Sequence, residues 1–319
     1  MNLNRKNIVC FGGGTGLSSL LSGLKQSPFF NITAIVTMFD NGRSSGELRD
    51  RFGILPPGDI MKCMVALTRH PEVVREILNK RVSRTGRAPH SAGNMLLTGI
   101  EKIYGDYYEA IKVFGELLDI SGQVIPVSTM PSSLCAELEN GQIVDGQVSI
   151  GRALQGKSPI TRIFLKPNVD GFAPAIEEIR KADLIIVGPG SFYDSVLSNF
   201  LADGISSAIQ KTKVPIIFIM NLVTEGSAMS PKEPVSHWIK IAESYVGKRF
   251  NWIIINNHAP TRQVFTAYKK EGKSPLLHTK NNTDNRFVPA DLWVDQSIAR
   301  HDPTVLTAEI TRLAIKLLG

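Results

Sequence analysis

Three consecutive glycines, a threonine and a fourth glycine, Gly12-Gly13-Gly14-Thr15-Gly16, are suited to hold a phosphate. They follow an apolar run, Ile8–Phe11, and lead into a helical pattern from Leu17. Without a Cβ, the backbone turns tightly and an anion can approach its amides. The helix behind adds partial positive charge at its N-terminus. Thr15 adds a hydroxyl. No Lys-Ser or Lys-Thr follows the glycines, so the loop is not a P-loop, and its spacing differs from the usual dinucleotide fingerprint. A tight turn without ligand is the plainer reading.

Five further segments carry ligand-type residues. Asp40 ends a strand, where an acid often receives a ligand hydroxyl. Asn41, Ser44 and Ser45 follow it, although an Asx-turn would also explain this stretch. In Pro56-Pro57-Gly58-Asp59, Gly58 permits an unusual backbone angle, and Asp59 either caps the next helix or faces the ligand, directly or through a metal. His90-Ser91-Ala92-Gly93-Asn94 enters a helix, and Asn94 can read a base or a sugar hydroxyl. Val187-Gly188-Pro189-Gly190-Ser191 repeats the logic of the first loop, with the amides around Gly188 and Gly190 and the Ser191 hydroxyl. Asn221 ends a later strand. Each alone can be a plain turn or cap; their number favours one shared site.

No nucleophile–base pair, paired-carboxylate signature or metal-ligand spacing is readable. The three cysteines, Cys10, Cys63 and Cys135, read as buried free thiols of a reducing cytosol. No secretory leader is visible, and no run of about 18 apolar residues marks a membrane span. A cytoplasmic protein is expected. The net charge of +7 favours anionic partners without choosing among them. Its one dense basic stretch, Lys80–Arg87, reads as a solvated loop, or as a loop closing over phosphate. No aromatic interleaving or nucleic-acid motif accompanies it, which argues against nucleic acid as partner.

The elements that must position these loops alternate. Strands are expected at Asn7–Phe11, Ile32–Met38, Asp183–Val187, Val214–Met220 and Trp252–Asn256. Helices are expected from Leu17 to Leu24, Asp59 to Thr68, His90 to Ile103, Tyr107 to Leu118, Pro174 to Ala182 and Pro303 to Leu318. In the middle, Gln123–Ser128, Cys135–Leu138 and Gln142–Val144 read as strands, the last two joined by the turn signal Asn140-Gly141. The expectation is a single α/β domain over residues 1–319. It is a doubly wound, mostly parallel sheet with a small antiparallel insert at 121–170. The ligand lies at the carboxyl ends of the strands.

The sequence resembles the gluconeogenesis factor family (YvcK-like), related to the 2-phospho-L-lactate transferases (CofD-like). The matching pieces are Gly12 to Leu17, Asp40-Asn41-Gly42 with Ser44-Ser45-Gly46, Pro57-Gly58-Asp59, His90-Ser91 with Gly93-Asn94, Ala182-Asp183 through Ser191, and His301-Asp302-Pro303. They stand in family order. The resemblance implies a Rossmann-like fold, a role in cell shape and carbon-source-dependent growth, and binding of UDP-sugars such as UDP-N-acetylglucosamine. The related transferases bind a guanosine nucleotide in the same crevice and use Mg²⁺. Two departures stand out. Arg43 replaces a usual glycine, and Asn221 to Gly226 lacks the family's Gln-Pro-Gly-Glu-Thr run.

The resulting expectation is a non-catalytic UDP-sugar-binding regulator. The amides of residues 13–16 and 188–191 hold the diphosphate. Asp40 and Asn41 contact hydroxyls, and Asn94 and Asn221 position the sugar or base. The alternative is a phospholactate-type transferase in which Asp40 or Asp59 helps to hold Mg²⁺. A homo-oligomer and a regulatory protein partner are left open.

Overall fold

A run of apolar residues at Ile8–Phe11 can be satisfied only by burial on both sides, and it forms an interior strand of a seven-stranded parallel sheet. The structure is a computed structural model. It describes residues 5–39, 58–82, 90–146, 150, 158–225, 229–230, 233–279, 282–293 and 298–318.

In chain order, β1 (Lys6–Gly12), α1 (Gly14–Leu24) and β2 (Phe30–Val36) open the fold. Then come α2 (Gly58–Leu67), α3 (Pro71–Asn79), the short pair β3 (Arg81–Val82) and β4 (His90–Ser91), α4 (Ala92–Tyr104), α5 (Tyr107–Leu117) and β5 (Gln123–Pro126). The antiparallel sheet is β6 (Ser133–Leu138), β7 (Ile143–Asp145) and β8 (Ile160–Lys166). The second half runs α6 (Ala173–Lys181), β9 (Leu184–Val187), α7 (Ile205–Lys211), β10 (Ile216–Ile219), α8 (Val235–Val246), β11 (Trp252–Asn256), α9 (Arg262–Lys270), β12 (Phe287–Ala290) and α10 (Pro303–Leu318).

The sheet order is β12-β11-β10-β9-β1-β2-β5. The chain builds outward from β1 on one side, then crosses to β9 and builds outward on the other. The strand order therefore reverses between β1 and β9, where an open α/β sheet leaves a crevice. Alternate residues feed two cores. Ile8 and Cys10 pack with α1, α2, α5 and α10, whereas Val9 and Phe11 pack with α6, α7, α8 and the antiparallel sheet.

The insert expected at 121–170 begins too early. Gln123–Pro126 pairs in parallel with β2, Ile125 opposite Ile35, and so belongs to the main sheet. Only Ser133–Lys166 forms the antiparallel sheet, whose Leu134, Ala136, Ile163 and Leu165 enter the second core. The Asn140-Gly141 turn is present, with Gly141 at φ +79°. The helix expected from His90 starts at Ala92, because Ser91 is its cap and accepts the Asn94 amide at 3.3 Å. Strand β12 escaped the sequence reading, since a central proline, Pro289, is tolerated only at an edge. The free cysteines are all buried.

His301 ties the C-terminal helix to the sheet. Its Nε2–H donates to the Met220 carbonyl at 2.9 Å, and its own carbonyl accepts Ser19 Oγ at 3.1 Å. Asp302 Oδ1 accepts the amides of Thr304 and Val305 and caps α10. Burial lowers the His301 pKa from 6.5 to about 4. The unfolded chain therefore binds a proton that the folded chain refuses between those values, and stability falls as pH falls through that window. Chemical denaturation of wild type and H301Q between pH 6.5 and 4 should show the wild type losing up to roughly 3 kcal/mol more. In the other core, Phe218 stacks on Phe250 at 4.8 Å. Phe218→Ala should cost about 3–5 kcal/mol, against a change within about 0.5 kcal/mol for the exposed Ile315→Ala.

Candidate functional site

Gly13 is extended, at φ −173°, and stands at the N-cap of α1 with no side chain capping the helix. The amides of the first turn therefore point outward as donors. Gly14 is at φ +61°, in the left-handed region, which admits the turn into the helix. The loop is fixed from behind. The Gly12 carbonyl accepts the Thr37 amide at 3.2 Å and the buried Asn199 Nδ2 at 3.3 Å. Thr37 and Ser198 share a buried hydroxyl contact of 2.8 Å beneath it.

The second glycine loop lies against the first. A Cβ on Gly16 would come within 2.5 Å of the Pro189 carbonyl and 2.8 Å of the Gly190 Cα. The Gly188 amide donates to the Phe11 carbonyl at 2.9 Å, and Gly188 is at φ +84°. The loops after β1 and β9 thus meet at the sheet's switch point. Gly16 is there for backbone contact between them.

Asp59, in the first turn of α2, also faces this loop. Its Oδ2 would lie 2.6 Å from a Cβ on Gly13, and its Oδ1 pairs with Lys62 Nζ at 2.9 Å. Gly58 opens the same helix. Asn94 is buried in the first turn of α4. Asp40, Asn41, Ser44 and Ser45, with Arg43, lie outside the described residues, as does most of the basic stretch, at 83–87.

Ser191 and Asn221 converge on a residue that the sequence reading did not single out, Glu225. Its Oε1 accepts the Phe192 amide at 2.7 Å and Asn221 Nδ2 at 2.9 Å, and its Oε2 accepts Ser191 Oγ at 3.2 Å. Burial, opposed by these donors and reinforced by Asp194, raises its pKa to about 7. The only signal in the sequence was an acid four residues beyond a strand-terminal asparagine, in a segment that departs from the family pattern.

Beside Thr15 a cleft of about 550 Å³ runs along α1, between α2, α3 and α10. Thr15, Ser18 and Ser22 line one side, and Lys62, Arg75 and Arg300 bring positive charge. No acid lines it. Among the described residues no group of three or more His, Cys, Asp or Glu could cage a metal. Asp59 is the described carboxylate that would hold a Mg²⁺ here, since Mg²⁺ takes one or two carboxylates with phosphate oxygens, and the ion would supply neutralisation of phosphate charge. Among the described residues no helix is long and apolar enough to cross a membrane.

Comparison with known proteins gives the family. The sequence model of the 2-phospho-L-lactate transferase CofD family matches residues 8–292. A gluconeogenesis factor of Halalkalibacterium halodurans is 38% identical over 86% of this chain and 85% of its own. One from Listeria monocytogenes is 39% identical over 77% of this chain and 76% of its own. The crystal structure of a UPF0052 family protein from Bacillus halodurans matches with a TM-score of 0.88 at 33% identity, covering 99% of each chain. With the mostly parallel sheet, the paired glycine loops and matches over nearly the whole length, the chain belongs to the CofD family and, within it, to the gluconeogenesis factors.

Proposed function

We propose that this protein binds a nucleotide sugar of the UDP class and acts as a cytoplasmic regulator, serving growth on gluconeogenic carbon sources and cell shape. The diphosphate rests on the amides of residues 13–16 and on those of Gly190 and Ser191, since Pro189 has no N–H and the Gly188 amide is bonded to the Phe11 carbonyl. Arg300, beside Thr15, neutralises part of the diphosphate charge. Asp40 and Asn41 receive hydroxyls, and Asn94 and Asn221 act on the sugar or base. The observation that carries this reading is the backbone contact between two glycine loops at the β1/β9 switch point. Two such loops converging on one crevice suit the two phosphates of one ligand.

Calorimetric titration with UDP-N-acetylglucosamine should give saturable, one-to-one binding; no heat with any UDP-sugar would overturn the reading. Arg300 is exposed and has no ion pair among the described residues, so Arg300→Ala should leave the melting temperature unchanged. It should weaken binding about tenfold, as expected for one lost charge-assisted contact.

Asp59 favours a second reading, a transferase that moves a phospholactyl group from a nucleotide. A carboxylate against a phosphate loop invites a cation between them, and bound Mg²⁺ would neutralise phosphate charge there. One measurement separates the two. A regulator binds its ligand equally with Mg²⁺ or a chelator and shows no turnover with activated phospholactate and a deazaflavin precursor. A transferase turns over, needs Mg²⁺, and loses most of its turnover in Asp59→Asn.

A further inference from the structure

Glu225 joins the segment after β10 to the loop after β9. One carboxylate holds the Phe192 amide, the Asn221 side chain and the Ser191 hydroxyl at 2.7, 2.9 and 3.2 Å. Phe192 and Ser191 directly follow Gly190, so the tether fixes the second half of the cradle. Asn221 comes from the end of β10, which pairs with β9. Removing the tether would free one loop relative to the other.

The charge at this point is unusual. Glu225 keeps some contact with solvent, yet its carboxyl group is densely surrounded. The groups acting on it are Asp194 and the hydroxyl of Tyr193, both on the turn that follows Ser191, and the neutral Asn221. None of these is a cation. Asp59, at the first loop, is compensated by Lys62. A diphosphate arriving on the second loop therefore meets a carboxyl already repelled by Asp194.

We propose that Glu225 is the positioning residue of the second half of the cradle, and that it takes up one proton from solvent when an anionic diphosphate binds. This rests on the functional reading above. The hydrogen bonds allow it without moving the loop. In the ionised state Ser191 Oγ–H donates to Oε2 of Glu225. After proton uptake the new Oε2–H donates to Ser191 Oγ, and the serine hydroxyl turns to Asp194 Oδ2, 3.4 Å away. The Phe192 amide and Asn221 Nδ2 stay on Oε1. One proton enters from bulk water, and one negative charge leaves the site as the ligand's charge arrives.

The sign follows from linkage. Burial pushes the Glu225 carboxyl up to about 7 in the free protein, and a bound anion raises that value further. Affinity is highest below about pH 7 and falls as pH rises, by at most about tenfold per pH unit for one proton. The diphosphate diester stays fully ionised throughout, so the ligand contributes no titration of its own.

The test is calorimetry of the full chain with UDP-N-acetylglucosamine at about pH 7.5, in amine and sulfonate buffers of different ionisation enthalpy, with affinities followed from about pH 6.5 to 8.5. The expected result is uptake of a fraction of a proton and an affinity that falls several-fold with rising pH. Glu225→Gln should still bind, because its amide can accept from Phe192 and donate to Ser191, but with no uptake and no pH dependence. Glu225→Ala should bind several-fold more weakly than Glu225→Gln at every pH. Wild-type binding without proton uptake overturns the inference, as does uptake that persists in Glu225→Gln. Absence of wild-type binding to any UDP-sugar overturns the functional reading itself, and is distinct from both.

Discussion

The contact between Gly16 and the Pro189 carbonyl is what the site depends on. The sheet order makes β1 and β9 neighbours, and their loops leave the same edge while their chains diverge to opposite sides. Two backbones that close leave no room for a side chain at Gly16. With the loops in contact, the N-terminus of α1 and the loop after β9 stand side by side at the switch point of the sheet. Pushed apart by a methyl group, they would be two unrelated turns. The polar groups behind them serve the same end. Asn199, Thr37 and Ser198 hold the Gly12 carbonyl and the loop's base, so the donors are rigid before a ligand arrives.

Each half of the cradle carries a carboxyl group, and the two are handled differently. Asp59 stands against Gly13 with Lys62 at 2.9 Å, a pair whose charges largely cancel. Among the described residues Glu225 stands against Ser191 with neutral donors and with Asp194 nearby. A carboxyl without a cation in dense surroundings is held either by hydrogen bonds or by a proton. The first half therefore pairs its carboxylate with a cation, whereas the second holds its carboxyl through hydrogen bonds. The cleft alongside α1 is lined by Lys62, Arg75 and Arg300 and, among the described residues, by no acid.

The His301-Asp302-Pro303 motif stands with the ligand-type segments in sequence, yet its side chains do structural work. His301 reaches the end of β10, Asp302 caps α10, and Pro303 opens that helix. Buried histidine here is a neutral donor to a carbonyl. Its neighbour Arg300 lines the cleft together with Pro303.

The alternation of apolar strands and amphipathic helices, the glycine loops after β1 and β9, and the Asn140-Gly141 turn were legible in the residues alone. Each depends on local chemistry: period, turn angle, or the absence of a Cβ. Those features set the α/β class, the doubly wound plan and the place of the anion loops. The sequence could not assign Gln123–Pro126 to the parallel sheet, because a four-residue apolar strand carries no record of which partner it pairs with. Nor could it mark β12, whose proline argues against a strand until its edge position is known. Glu225 is the clearest case. As a residue it is one acid among many, and its meaning comes from Ser191, Phe192 and Asn221, about 30 positions away or across a strand end. Tertiary structure alone decided that these groups share one carboxyl, because burial and hydrogen bonding are set by what the fold brings near and not by what precedes in the chain.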